Sequence, residues 1–301
     1  MTNPLVSFSE QLASTVAQVG QSIVAVHARP RFDSSGVHWS NGVVVTADHT
    51  IRRDEDIQVT APDGSKLSAE LVGRDPGTDL AVLRVAGLTA PVAERAAAIP
   101  TPGSVMLAVG RSKDSVSAAF GVLSSISPAA QTWRGGRLDQ VVRLDIALHP
   151  GASGAAVVDA AGKLAGIATP VLSRVSVFAV PLATVDRVVE ALLAHGRIPR
   201  GYLGVGLQPV AIPEHLKSTL NLKASTGLIV ISADHDAPAG QAGIIIGDVL
   251  LELGGRSIQE PEHVQEVLDS GSVGKKLPAR LLRGGKLVEL DVTPGERPRK
   301  S

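Results

Sequence analysis

The chain has 301 residues, enough for two domains at about 100–200 residues each, with 29 lysines plus arginines balanced by 29 aspartates plus glutamates, and no cysteine. A formal charge of zero and 2% aromatic residues supply neither the basic field nor the stacking surface of a nucleic-acid binder. The missing thiols exclude a disulfide framework, a thiolate metal site and a cysteine nucleophile together.

Apolar residues at Leu5, Phe8, Leu12, Val16 and Val19 recur at near-helical spacing and predict a short amphipathic helix within an N-terminal segment, residues 1–20. The same residues contain no basic n-region followed by an apolar h-region, and no apolar run long enough to span a bilayer. The expectation as written is a cytoplasmic protein without a membrane span; a leader absent from the sequence would make it periplasmic.

Residues 21–196 then read as short valine-rich strands ("SIVAVHA", "NGVVVTA", "DLAVLRV", "SVMLAVG", "AAVVDA") between turns such as "PDGSK", "GRDPGTD" and "DAAGK". A mainly β architecture follows, a barrel or sandwich pair, closed by a helix at "PLATVDRVVEALLAHG" with Gly196 at its C-terminal end. Residues 197–200 read as a linker. Residues 201–295 form a separate small α/β module with a helix at 261–269 and a hairpin around Gly284 and Gly285, and 296–301 form a tail.

Three residues carry chemistry. A serine hydroxyl attacks only when a base takes its proton and a third group orients the base. His49 follows an apolar strand ending in Thr46 and Ala47, Asp79 opens the strand from Leu80 to Val85, and Ser153 sits in the small-residue run "HPGASGA". Taken alone, each has a plain reading as a partly buried imidazole, a cap and a turn residue. Asp75, before Pro76, is the better turn former of the two aspartates in its loop. The order His, Asp, Ser differs from that of the α/β-hydrolases, and "GASGA" fails their G-x-S-x-G elbow at Ala155. The remaining histidines lack a metal-ligand spacing.

The segments "TADHTI", "DPGTDLAVLRV", "LDIALHPGASGAAVVDAAGKLAGIAT" and "VFAVPLATV", in this order, resemble the signature segments of the HtrA (Deg) family of trypsin-fold serine proteases. The resemblance implies a chymotrypsin-like double β-barrel with His49, Asp79 and Ser153 as the triad, and an oxyanion hole from the N–H groups of Gly151 and Ser153. It also implies an uncharged S1 pocket at Ala147, Leu148 and Val171, with cleavage after Val, Ala or Leu. "RGYLGVGLQPV" and "GIIIGDVLLELGG" are similar to a bacterial PDZ domain. There the backbone of Tyr202, Leu203, Gly204 and Val205 would cradle a peptide's terminal carboxylate, with Arg200 adding charge.

The implied function is ATP-independent endoproteolysis of unfolded or damaged proteins, with substrate C-termini held by the PDZ domain. No cofactor and no metal are implied, and the family resemblance adds a homotrimer formed through the N-terminal helix. The sequence departs from the family's Gly-Asn-Ser-Gly-Gly at Ala152 and Ala155, and Thr50 replaces a valine. An alanine forced to positive φ at 155 would deform the loop. That departure sets the rival reading: a catalytically impaired, protease-fold chaperone or peptide-binding scaffold.

Overall fold

The computed structural model describes residues 3–113, 115–173, 175–198, 201–268 and 271–296. The chain divides into two compact units, residues 1–198 and 199–301.

The first unit opens with α1 (Pro4–Gly20), started by Asn3, whose side chain accepts the Leu5 N–H at 2.9 Å, with Pro4 at a position where a missing N–H costs nothing. Six strands follow: β1 (Ile23–His27), β2 (Ser34–Ser40), β3 (Val43–Ala47), β4 (Ile57–Thr60), β5 (Lys66–Asp75) and β6 (Leu80–Arg84). They close into an antiparallel barrel in the order β1-β2-β3-β6-β5-β4. Next come β7 (Val105–Ser112), β8 (Ser115–Ser127), the small ribbon of β9 (Ala130–Gln131) and β10 (Arg137–Leu138), β11 (Val141–Asp145), β12 (Ala156–Asp159), β13 (Leu164–Thr169) and β14 (Val177–Pro181). Of these, β11-β14-β13-β12-β7-β8 close a second barrel. Closure leaves no open sheet edge in either barrel.

Alternation along the strands divides the apolar residues between two kinds of core. Val24, Val26, Val44, Ile57, Val59 and Leu83 belong to a cluster of the first barrel alone, and Met106, Leu123, Val142, Val157 and Ala168 to one of the second. A third cluster joins the barrels through Val37, Val45 and Val82 on one side and Leu107, Val109 and Ile167 on the other. The helix α2 (Leu182–His195) adds Val185, Val188 and Leu192 to it and ends on Gly196 at φ 68°, the left-handed stop that its sequence predicts. Ile198 packs against this same core, although it reads as linker in the sequence.

The second unit contains β15 (Gly201–Tyr202), β16 (Val205–Ala211), α3 (Glu214–Leu220), β17 (Thr226–Ala233), α4 (Pro238–Gln241), β18 (Val249–Leu253), β19 (Arg256–Ser257), α5 (Pro261–Val267), β20 (Leu277–Arg283), β21 (Lys286–Val292) and β22 (Gly295–Glu296). Its main sheet runs β16-β17-β18-β20-β21, so β16 is an edge strand. Gly284 and Gly285, both at positive φ, make the β20–β21 turn expected from the sequence. Two features differ from expectation: α5 ends at Val267, and Glu296 pairs with Gly201 instead of lying in a tail.

Candidate active site and peptide groove

Strand register brings the first two residues together. β3 and β6 are antiparallel with Ala47 opposite Leu80, so the residues just beyond that pair meet. The Asp48 N–H donates to the Asp79 carbonyl at 3.1 Å, and one 3-10 turn, Asp48–Thr50, presents His49. Asp79 is fully buried and left-handed at φ 59°, a conformation that aspartate visits at some cost.

Its carboxylate is held from three directions. Oδ1 accepts the His49 backbone N–H at 2.9 Å, Oδ2 lies 2.8 Å from His49 Nδ1, and the Thr169 hydroxyl donates to Oδ2 at 2.5 Å. A carboxylate only accepts, so the His49 proton sits on Nδ1. Nε2, 3.0 Å from Ser153 Oγ, is then left to accept the serine proton. Asp75 is the turn former: Oδ1 accepts the Gly77 N–H and Oδ2 the Thr78 hydroxyl.

Ser153 lies in a loop of alternating hydrogen-bond roles. The N–H groups of Ala152, Gly154 and Ala155 donate to His149, Ala168 and Ala152 carbonyls respectively. Those of Gly151 and Ser153 have no acceptor among the described residues. Positive φ falls on Gly151 (98°) and Gly154 (80°), whereas Ala155 is not among the positive-φ residues. The strain anticipated at Ala155 is therefore absent. Ala155 and Ala152 are both buried, and Thr50, also buried, satisfies its hydroxyl on the Ala47 carbonyl at 2.7 Å.

Asp48, beside His49, is also buried, and its carboxylate receives Arg74 Nε at 2.5 Å. Burial pushes its pKa above the ordinary carboxylate value; the Arg74 hydrogen bond and charge oppose the shift, and Asp79 and Asp75 add to it.

Of the residues that the resemblance puts in S1, Ala147 is exposed, and Leu148 and Val171 are partly buried. A cavity of about 400 Å³ adjoins them, lined by Asp145, Ile146, Pro170, Ser173, Ser176 and Val177 among others. None of Ala147, Leu148 or Val171 lines it.

In the second unit, Gly204 stands at φ 78°, where an added Cβ would lie 2.0 Å from the Ala237 Cβ. The Leu203 and Gly204 carbonyls accept the Ala239 and Asp234 N–H groups, while the N–H groups of Leu203 and Gly204 have no acceptor among the described residues. Leu203 is buried in the core of the unit, Tyr202 pairs with Gly295, and Val205 begins the edge strand β16, with α5 packed beside it. This is a groove of the kind that adds a peptide as an extra strand. Arg200 lies outside the described residues.

Thr169 was not singled out by sequence reading. It ends an apolar strand, "LAGIAT", and only the fold places it behind a carboxylate 90 residues away.

The comparisons agree with this architecture. A family model for the trypsin-like peptidase domain matches residues 34–167, and one for the PDZ domain matches residues 201–293. A probable periplasmic serine endoprotease, DegP-like, of Brucella suis is 31% identical over 283 residues, covering 90% of this chain and 54% of that protein. The putative serine protease HhoB of Synechocystis is 30% identical, covering 86% and 65%. The chain thus spans about half to two thirds of the length of these relatives. Among solved structures, the serine endoprotease from Yersinia pestis aligns with TM-score 0.77 at 28% identity, covering 95% of this chain and 98% of that one. The HtrA-type protease AlgW with a decapeptide aligns at 0.76 and 27%, covering 96% and 99%. Fold and site together define a trypsin-like peptidase unit followed by one PDZ domain, and the chain belongs to the HtrA/Deg family of serine proteases.

Proposed function

We propose that the chain is an ATP-independent serine endopeptidase acting on unfolded or damaged proteins. Ser153 attacks the scissile carbonyl, His49 Nε2 takes its proton and returns it to the leaving amine, and Asp79 holds the imidazole and stabilises its charged form. The N–H groups of Gly151 and Ser153 receive the oxyanion, a type of contact worth about 10²–10³ in rate per donor. The observation that carries this reading is the hydrogen-bonded line from Asp79 through His49 to Ser153, beside two N–H groups without acceptors among the described residues. Regular backbone at Ala155 speaks against the impaired scaffold, which the changes at 152 and 155 had suggested.

The loop from Tyr202 to Val205 and the β16 edge hold substrate C-termini, which raises the local substrate concentration at the cleft. An uncharged S1 at Ala147, Leu148 and Val171 favours small aliphatic side chains. The reading of a trimer rests on α1, which leaves Leu5, Val6 and Phe8 exposed and sets Phe8 edge-on to the exposed Phe120 at 6.1 Å. No helix among the described residues is long and apolar enough to cross a membrane. The Brucella relative is named as a periplasmic protease, which favours the periplasm over the cytoplasm expected above.

The deciding experiment is degradation of reduced casein beside a Ser153→Ala control, with fluorophosphonate labelling of both. Cleavage and labelling confined to the wild type are expected; substrate binding without either would return the scaffold reading. Sedimentation of wild type and Phe8→Glu tests the trimer, and fractionation of the native host tests the compartment.

A further inference from the structure

We infer that Ser35, on the first barrel, is a positioning residue that sets the oxyanion loop of the second. This inference rests on the proposed roles of Gly151 and Ser153. Ser35 is fully buried on β2 and touches that loop twice. Its hydroxyl donates to the Gly151 carbonyl at 2.8 Å, and its N–H donates to the Ser153 carbonyl at 3.0 Å. The hydroxyl oxygen in turn accepts the Arg111 N–H at 3.0 Å, and of the two acceptors within reach of its proton the Gly151 carbonyl at 2.8 Å is nearer than the Arg111 carbonyl at 3.4 Å.

The geometry explains why this matters. The Gly151 carbonyl belongs to the peptide between the two candidate oxyanion donors. Pinning it and the Ser153 carbonyl on the Ser35 side leaves the Gly151 and Ser153 N–H groups without acceptors among the described residues. Without the hydroxyl, the 151–152 peptide keeps only the bond from the Ala152 N–H to the His149 carbonyl, and Gly151 at φ 98° has no side chain to resist its rotation.

Glycines crowd the same residue. A Cβ on Gly110 would lie 2.6 Å from Ser35 Oγ, and one on Gly154 would lie 2.3 Å from the Ser35 carbonyl oxygen. Arg111 extends the connection. Buried itself, it donates through Nε to the Ile23 carbonyl at 2.7 Å and through Nη2 to the Gly20 carbonyl at 2.8 Å, the last residue of α1. The end of the N-terminal helix is thus two residues, Arg111 and Ser35, from the oxyanion loop.

The test uses the full chain and two variants, Ser35→Ala and Gly110→Ala; the second keeps the serine and displaces its hydroxyl. Hydrolysis of a reporter peptide should lose about 10–100-fold in kcat, less than deletion of a donor itself, with KM within about twofold. Affinity for a peptidyl boronate, which forms the tetrahedral adduct, should fall by the same factor. Affinity of the uncleaved peptide, measured in the Ser153→Ala background, should stay as it is with or without Ser35→Ala. All variants are compared at a temperature where circular dichroism shows them folded. A merely structural role would move peptide and boronate affinity together, and that result overturns the inference, as does wild-type kcat in both variants. If Ser153→Ala itself still hydrolyses the reporter, the proposed function fails instead.

Discussion

Two loops in this chain present paired backbone N–H groups, one around Ser153 and one from Tyr202 to Val205, and they are held in different ways. Both depend on glycine at positive φ: Gly151 and Gly154 in the first, Gly204 in the second. The carbonyls of the second loop are bound by the N–H groups of Asp234 and Ala239, in the neighbouring turn of the same small unit. Those of the first are bound partly from the other barrel, by the backbone and the hydroxyl of Ser35. Side-chain changes at a distance should therefore disturb the first loop, or the groups that face it. In the second, few changes other than an added Cβ should matter.

The contrast can be broken most severely at Asp79. Asp79→Asn keeps the shape but leaves His49 in the wrong tautomer for Ser153, and steady-state hydrolysis should fall by about 10⁴ in kcat. Thr169→Ala, 90 residues away in sequence, removes a charge-assisted donor to the same buried carboxylate. Chemical denaturation should show a loss of about 1.5–3 kcal/mol, accompanied by lower kcat. In the second loop, Gly204→Ala combines a left-handed penalty of about 1–2 kcal/mol with collision against Ala237. Calorimetry with a C-terminal peptide should show binding weakened about tenfold or more.

Smaller effects sharpen the picture. Ala155→Gly restores the common family residue at a position that does not need positive φ; it should cost about 0.5–1 kcal/mol in a thermal melt and bring no gain in rate. Asp48→Asn should act mainly on the pH profile of stability. The folded-state pKa of Asp48 is raised by burial, so its contribution is complete below the ordinary carboxylate range and is lost as pH climbs through the raised value. Melts across that interval should fall with rising pH in the wild type and fall less in the variant.

How far the site was legible depends on whether its signal was local. His49, Asp79 and Ser153 sit in segments with their own turn and strand patterns, so their order and surroundings could be read from the chain. The two long helices announced themselves through apolar spacing and Gly196. Thr169 and Ser35 could not be found that way: each is a small polar residue in a buried strand, and its partner is chosen by barrel closure and barrel docking. Sequence also raised a false alarm at Ala155, because position within a motif does not reveal φ. The short helices α3 and α4 went unread for want of length, seven and four residues being too few to show a period.

The edge strand of the second unit has a further consequence. An edge strand invites any extended chain to add to it, and a protein with the substrates proposed above meets many. Pro209 lies within β16 and has no N–H to offer, so the open ladder is interrupted there. The stretch before that break suffices to seat a chain end and is too short to template a long one. With the proposed substrates, the groove thus seats a chain end without becoming a nucleus for aggregation.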